Sequence, residues 1–109
     1  MPMGDRGTFM LRHLVFFKFK PETSVDRRQN FVRMLRDLPA QIPGIVKGEV
    51  GEDVLHKERS FDVALMFTFK DREALNVYTP HPKHVLVIEE SHRINDRVCS
   101  VDYEVQDDS

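Results

Sequence analysis

The sequence predicts a single α+β domain of the ferredoxin-like kind, a β-α-β-β-α-β sandwich. Residues 11–20 and 61–70 alternate as strands do, with apolar side chains on both faces. Between them lies a segment whose apolar residues recur at helical spacing. Along the whole chain the order strand, helix, strand, strand, helix, strand is that of the ferredoxin-like motif. We therefore predict one domain over residues 1–109, with its core at 10–105.

The first predicted strand, residues 11–20, is apolar on both faces. One face carries three apolar residues and a histidine, and the other carries two apolar residues: His13, Val15, Phe17 and Phe19 against Leu14 and Phe16. We assign the face that contains His13 to the helices. Pro21 ends the strand because proline cannot donate to a strand ladder.

A helix is predicted after Pro21. Thr23 and Asp26 have the spacing of a capping box, in which two side chains satisfy the free backbone N–H groups of the first turn. An apolar stripe follows at spacings of four, three and four residues: Phe31, Leu35, Leu38 and Ile42. Pro43-Gly44 ends the helix.

Two further strands follow the helix. Ile45 to Gly51 is a short strand that contains glycine, which suits the edge of a sheet. Residues 52–60 are charged and show no hydrophobic periodicity, so they are predicted to form a loop. Phe61 to Lys70 is a second strong strand. It has two apolar faces: Val63, Leu65, Phe67 and Phe69 on one, and Ala64, Met66 and Thr68 on the other.

The last third of the chain predicts two short helical pieces and a strand. Asp71 is placed to cap a helix that carries Ala74, Leu75 and Tyr78, and a Pro-His-Pro break ends it. A second piece runs from about residue 83 to 91. Residues 97–105 close the domain as a strand, with Cys99, Val101, Tyr103 and Val105 in alternation.

The predicted fold leaves one apolar sheet face uncovered. Helices cover only one side of such a sheet, yet the central strands also carry Leu14, Phe16, Ala64 and Met66 on the other side. The simplest cover is the same face of a second chain, which gives a two-fold homodimer. Cys99 is then expected to be buried at this interface.

Composition excludes several classes of function. The formal net charge is −2 with both signs interleaved, so no nucleic-acid footprint is predicted. No apolar run approaches the ~20 residues of a membrane helix. The single cysteine excludes an intrachain disulfide and a thiolate zinc site. Residues 1–8 hold no signal-peptide core, so we expect a cytoplasmic protein, and we expect the tail, residues 106–109, to be frayed.

The segment Tyr78-Thr79-Pro80-His81-Pro82-Lys83-His84 carries the strongest chemical signal. Its prolines prevent one regular helix. It also places a phenol, which donates hydrogen bonds, close to two imidazoles, which act as acids or bases near neutral pH. His81 and His84 have a metal-ligand spacing, but no cysteine or evident third ligand lies nearby. We therefore predict neither a metal nor a cofactor.

We predict that Tyr78 and His84 converge above the helix side of the sheet, with His13 as a third candidate. The neighbouring strand faces supply an apolar floor for a small hydrophobic ligand: Val15, Phe17, Val63, Leu65 and Phe67. An alternative reading of His84 is structural. In that reading its ring bonds a backbone group and fixes the turn between the two helical pieces.

Five stretches occur together in a specific order and spacing. They are Arg12 to Lys20, Leu38-Pro39 with Ile42-Pro43-Gly44, Phe61-Asp62, Tyr78 with His81-Pro82-x-His84, and Val101-Asp102-Tyr103. Over about residues 10 to 105 they resemble the stress-responsive dimeric α/β-barrel, or Dabb, family. The resemblance implies a ferredoxin-like domain whose sheet pairs with that of a second copy to form a barrel.

The resemblance also implies two alternative functions. The family includes plant stress proteins without a settled enzymatic role, which implies a domain that binds a small hydrophobic ligand without proven catalysis. One plant branch is a polyketide cyclase, in which a base and an acid match His84 and Tyr78. Histidines matching His13 and His81 occur there too, which places His81 in the pocket, and a further pocket histidine stands where this chain has Val63. The alternative is thus a cofactor-free cyclase or lyase.

Overall fold

One four-stranded antiparallel sheet and three helices make up the fold. The computed structural model describes residues 9–106. The elements are β1 (Phe9–Phe19), α1 (Val25–Gln41), β2 (Ile45–Glu52), β3 (Val63–Phe69), α2 (Arg72–Tyr78), α3 (Pro82–Ile94) and β4 (Asn95–Gln106). The sheet order is β2-β3-β1-β4, so the predicted ferredoxin-like fold with central β1 and β3 is confirmed. The predictions about a signal peptide, at residues 1–8, and about fraying at residues 107–109 lie outside the described residues, whereas Gln106, the first residue of the predicted frayed tail, ends β4 and pairs with Phe9.

The core lies between the helices and one face of the sheet. On β1 and β3 the buried apolar side chains come from alternate positions, as predicted. They are Leu11, Val15, Phe17 and Phe19 on β1, and Val63, Leu65, Phe67 and Phe69 on β3. They meet the predicted stripe of α1, in which Phe31, Leu35, Leu38 and Ile42 are at most 1% exposed.

The opposite sheet face carries no helix among the described residues. Leu14 on β1 stands opposite Met66 on β3 and Val101 on β4, so the three side chains share this face. Val101 is 55% exposed, and Cys99 is also exposed in the single chain. We call this surface the open face. The predicted burial of Cys99 stays a prediction because it depends on a second copy.

The start of α1 differs from the predicted capping box. Ser24, rather than Thr23, is the N-cap: its extended backbone lets its Oγ accept a hydrogen bond from the Arg27 N–H at 3.2 Å. The Thr23 hydroxyl instead donates to the Ile94 carbonyl at 3.0 Å. Thr23 therefore ties the start of α1 to the end of α3.

α1 and β2 approach each other closely at Gly48. A Cβ atom on Gly48 of β2 would lie 2.8 Å from Pro39 of α1 and 3.1 Å from the Phe67 ring. Only glycine allows this approach, because any larger side chain would displace Pro39. Phe67 therefore packs beneath the contact of α1 with β2.

α3 covers the other half of the sheet. Asp71 caps α2 as predicted, accepting a hydrogen bond from the Ala74 N–H at 2.9 Å. α3 begins at Pro82 and continues to Ile94, which is longer than the predicted piece. Its outer side is held to α1, because the Arg27 guanidinium donates to both carboxylate oxygens of Glu90 at 2.9 and 3.1 Å.

Candidate functional site

A cavity of about 410 Å³ lies between α3 and the part of the sheet formed by β1 and β4. Its walls are mainly apolar: Val15, Phe17, Leu35, Leu65, Leu75, Val87, Ile88 and Val98. Polar side chains gather where α2 passes into α3: His13, Tyr78, Thr79 and His84. A concave apolar space with a few convergent polar groups is typical of small-molecule sites.

Tyr78 and His84 meet at the polar end of the cavity. Their rings lie 4.1 Å apart between centroids, with an interplanar angle of 30°. His13, one strand away on β1, meets Tyr78 edge to face at 6.0 Å between centroids. The structure thus brings together the three residues that the sequence singled out for chemistry.

His84 is oriented by the backbone of the turn between α2 and α3. Its Nδ1 lies 3.0 Å from the Thr79 carbonyl oxygen, which only accepts, so Nδ1 carries the hydrogen and donates it. In the neutral ring the lone pair is then on Nε2. The backbone bond of the structural reading is therefore present, and the same residue also lines the cavity.

Electrostatics favour the neutral form of His84. Burial lowers its pKa below the ordinary 6.5, because the charged ring loses hydration. The hydrogen bond to Thr79 opposes this shift, whereas the nearby His13 and His81 add to it. Near pH 7 His84 is accordingly an unprotonated ring with a free base nitrogen.

Tyr78 complements His84 because it supplies a hydrogen-bond donor beside the base nitrogen. It is 2% exposed, and burial raises the pKa of its phenol above the ordinary 10.0. The hydroxyl therefore keeps its proton at neutral pH. Among residues 9–106 it has no recorded hydrogen-bond partner, so it is free to donate to a molecule in the cavity.

His13 pairs with a carboxylate that the sequence reasoning did not select. Asp102 of β4 stands directly opposite His13 in the antiparallel register, and its Oδ1 contacts His13 Nδ1. The contact fixes the orientation of the His13 ring beside Tyr78. Register is the signal that would have found Asp102, but it depends on pairing between the first and last strands.

The predicted pocket residues divide into two groups. Val15, Phe17 and Leu65 line the cavity. Val63 and Phe67 are buried on the same sheet face but are not part of the cavity lining, and Phe67 lies against the contact of α1 with β2. The cavity lining therefore includes three of the five predicted floor residues, and the role of the floor in binding stays a prediction.

His81 also lies outside the cavity lining. Its Nδ1 accepts a hydrogen bond from the Lys83 N–H at 3.1 Å, and it is the N-cap of α3. The structure gives His81 a helix-capping role, and its expected place in the pocket stays a prediction. Within residues 9–106 no group of three or more His, Cys, Asp or Glu side chains is arranged to hold a metal.

Sequence reasoning missed the contribution of α3 to the cavity. His84, Val87, Ile88 and Ser91 recur at spacings of three, one and three residues, which places them on one helix face, and all four line the cavity. That spacing was a usable signal.

None of α1 to α3, the helices that the structure describes, is long and apolar enough to cross a membrane.

The comparisons with known proteins agree on one family. Residues 11–105 match the family model described as the stress responsive A/B barrel domain. A stress-response A/B barrel domain-containing protein of Arabidopsis thaliana is 30% identical over 102 residues, covering 91% of this chain and 89% of that protein. Olivetolic acid cyclase of Cannabis sativa is 30% identical over 77 residues, covering 69% of this chain and 76% of the cyclase.

Solved structures show the same fold. A dimeric ferredoxin-like protein of unknown function from Bacteroides fragilis superposes with a TM-score of 0.74 at 27% sequence identity. The match covers 88% of this chain and 96% of that one. The family model and the Arabidopsis relative therefore show the family, and the solved structure shows the fold.

Proposed function

The chain belongs to the stress-responsive A/B barrel domain family, and we propose that it binds a small hydrophobic ligand in the cavity beneath α3. One observation carries the proposal. The cavity joins an apolar wall to the paired rings of Tyr78 and His84, so an apolar body and a polar head are accommodated together. The family on its own names no ligand.

The polar end favours a ligand with a carbonyl group. The Tyr78 hydroxyl is a protonated donor with no recorded partner among the described residues, and a carbonyl oxygen is an acceptor. His84 presents an uncharged nitrogen, so an anionic head would gain no counter-charge from it. A neutral ketone or ester with an aliphatic chain has the required chemistry.

Acid-base catalysis is the second candidate function. In this proposal His84 Nε2 takes a proton from the carbon next to a carbonyl, and the Tyr78 hydroxyl donates a hydrogen bond to the oxygen that gains the charge; the nearness of the two rings supports it. Such a site serves a cofactor-free cyclase or lyase. The similarity to olivetolic acid cyclase supports this candidate.

The proposal includes a homodimer formed through the open face. Leu14, Met66 and Val101 form an apolar surface there, and the similar Bacteroides fragilis protein is dimeric.

We also propose a reducing, cytoplasmic setting. In such a compartment the thiol of Cys99 remains reduced.

Blocking the cavity tests the proposed function. Ile88 lines the cavity from α3, whereas Val85 on the same helix is not part of the cavity lining and is 36% exposed. Calorimetric titration with octyl methyl ketone should give saturable binding to the wild type and to Val85→Trp. Ile88→Trp should bind at least about tenfold more weakly, because the indole fills the cavity. Equal binding by all three proteins would refute the cavity as the site.

Isotope exchange separates binding from catalysis. If His84 acts as a base, the protein should speed deuterium uptake from heavy water at the carbons next to the ketone carbonyl. The rate should fall about 100-fold or more in His84→Gln, which lacks the base. Binding without accelerated exchange would leave the ligand-binding function and remove the catalytic one.

A further inference from the structure

The exposed part of the cavity lining shows where the cavity meets water. Most of its apolar wall is buried, including Val15 and Phe17 on β1. Three exposed side chains of the lining instead lie on the two elements that border one gap: His92 on α3, and Val98 and Ser100 on β4. Val98 is 50% exposed although it borders an apolar cavity. The gap between α3 and β4 is therefore an opening of the cavity.

The position of β4 in the sheet explains this opening. The strand order is β2-β3-β1-β4, so β4 is an edge strand. Val98 stands opposite Phe17 in the antiparallel register. Ser100 stands opposite Val15, so Val98 and Ser100 both lie on the helix face of β4. No strand within residues 9–106 lies beyond β4 to close this side of the cavity.

α3 and β4 are joined only where one follows the other. β4 begins at Asn95, directly after the end of α3, and Asn95 donates a hydrogen bond to Ser91 Oγ at 2.8 Å. Farther from this junction the described residues show no side-chain hydrogen bond or ion pair between α3 and β4. The other side of α3, by contrast, is held to α1 by the bonds from Arg27 to Glu90. The helix and the strand therefore border a gap that is fastened at its narrow end.

The polar end of the cavity is closed by contacts between side chains. His84 of α3 stacks on Tyr78 of α2. Tyr78 also meets His13 of β1, and His13 contacts Asp102 of β4. Thr79 is exposed beside this row, and its hydroxyl donates to the backbone of α2. A ligand would have to separate these contacts in order to pass here, so the gap between α3 and β4 is the easier route.

We propose that ligands enter and leave the cavity through the gap between α3 and β4, with His92, Val98 and Ser100 as the portal. The inference rests on the proposed ligand-binding function and adds the route that a ligand takes. The carbonyl group passes the portal and reaches Tyr78 at the polar end. The portal residues then determine how fast a ligand exchanges, whereas the cavity wall determines how tightly it is held.

A portal acts on rates differently from a binding contact. A side chain that narrows the route raises the barrier to entry and the barrier to release alike. The two rate constants then fall together, and their ratio, the dissociation constant, is kept. A lost binding contact instead changes mainly the rate of release, and the dissociation constant changes with it.

Two portal variants of opposite size test the inference, with octyl methyl ketone as the ligand. Calorimetry gives the dissociation constant, and relaxation dispersion of the Val87 methyl signals gives the rate of release. Ser100→Trp narrows the portal and should slow entry and release by about tenfold each. Val98→Ala widens it and should speed both by about two- to fivefold. Both variants should keep the dissociation constant within about threefold of the wild-type value.

Glu89→Trp is the matched control. Glu89 is exposed on α3 and is not part of the cavity lining, so the added indole should leave both rates unchanged. Wild-type rates in both portal variants would refute the portal and leave the ligand-binding function standing. Faster release with weaker binding in Ser100→Trp would also refute it, because the indole would then occupy the cavity.

Two further outcomes keep the test decisive. If the wild type does not bind the ketone at all, the proposed function and the portal both fail. Thermal melting shows whether Ser100→Trp folds. If it does not, Val98→Ala decides the question alone, since it only shortens a side chain that is 50% exposed. Exchange at the wild-type rate in Val98→Ala would then refute the portal.

Discussion

The imidazole of His84 stacks on the phenol of Tyr78, with ring centroids 4.1 Å apart, at the one end of the cavity where α2 passes into α3. Burial acts on the two rings in opposite chemical senses, lowering the pKa of His84 and raising that of Tyr78. Both shifts favour the neutral form. Near pH 7 the pair is therefore a base nitrogen beside a hydroxyl donor, without net charge.

Tyr78→Phe should remove function and leave stability nearly unchanged. The ring fills the same volume, and the hydroxyl has no recorded partner within residues 9–106, so the free energy of unfolding should change by less than about 0.5 kcal/mol. Affinity for octyl methyl ketone should fall several-fold because the donor is lost. Urea denaturation and calorimetry measure the two quantities. A large loss of stability would instead show that the hydroxyl makes a hydrogen bond that stabilises the fold.

The imidazole of His84 should titrate below 6.5, as its burial requires. The unfolded chain then binds a proton on His84 at a pH where the folded protein does not. Stability from this group is therefore complete above pH 6.5 and is lost as the pH falls through the folded pKa. The wild type should lose unfolding free energy in that window, and His84→Gln should lose less.

Nuclear magnetic resonance titration of the histidine ring protons checks the prediction for His84 directly. The resonances of His84 should change at lower pH than 6.5. A midpoint at or above this value would contradict a neutral, desolvated ring.

His81→Ala should destabilise the protein by about 0.5–2 kcal/mol, because α3 loses the N-cap that accepts the Lys83 N–H. His81→Asn is the matched control, since asparagine is a good N-cap and should recover most of the loss. Denaturation midpoints measure the effect. Equal loss in the two variants would mean that the ring of His81 acts through other contacts.

The fold could be predicted from the sequence because the alternation of side chains in two strands shows clearly which side chains share each face. Alternation around Val15 and Leu65 assigned the helix side, and the stripe that contains Leu35 assigned the buried side of α1. The cap of α1 was misplaced by one residue, since Thr23 and Ser24 are both good N-cap residues and only the backbone conformation distinguishes them. Local pattern cannot decide such a case.

The candidate site was less predictable, because it depends on how α3 lies across the sheet. Alternation identified the face of Phe67 but could not show that this ring lies beside the close contact of Gly48 with α1. Asp102 reaches His13 through a register between the first and last strands. Ser91 becomes recognisable only when the helix face that carries His84 is known to border a cavity.

Met66→Glu should disrupt the proposed homodimer. Met66 lies on the open face beside Leu14, and an unpaired carboxylate buried in an interface is strongly unfavourable. Light scattering should give the wild type about twice the mass of the 12.8 kDa chain and should give the variant less. Val25→Glu is the control, since Val25 is 65% exposed at the start of α1 and should leave the mass unchanged. A wild-type protein with the mass of one chain would contradict the dimer.

The central claim is that the cavity beneath α3 is the binding site, and the methyl resonances of the protein test it most directly. Titration with octyl methyl ketone should shift the signals of Val15, Val87 and Ile88, which line the cavity, and leave Val101 on the open face unchanged. Saturable shifts confined to the first three residues are the result that we predict. Shifts at Val101 alone, or no shift in any of the four residues, would contradict the claim.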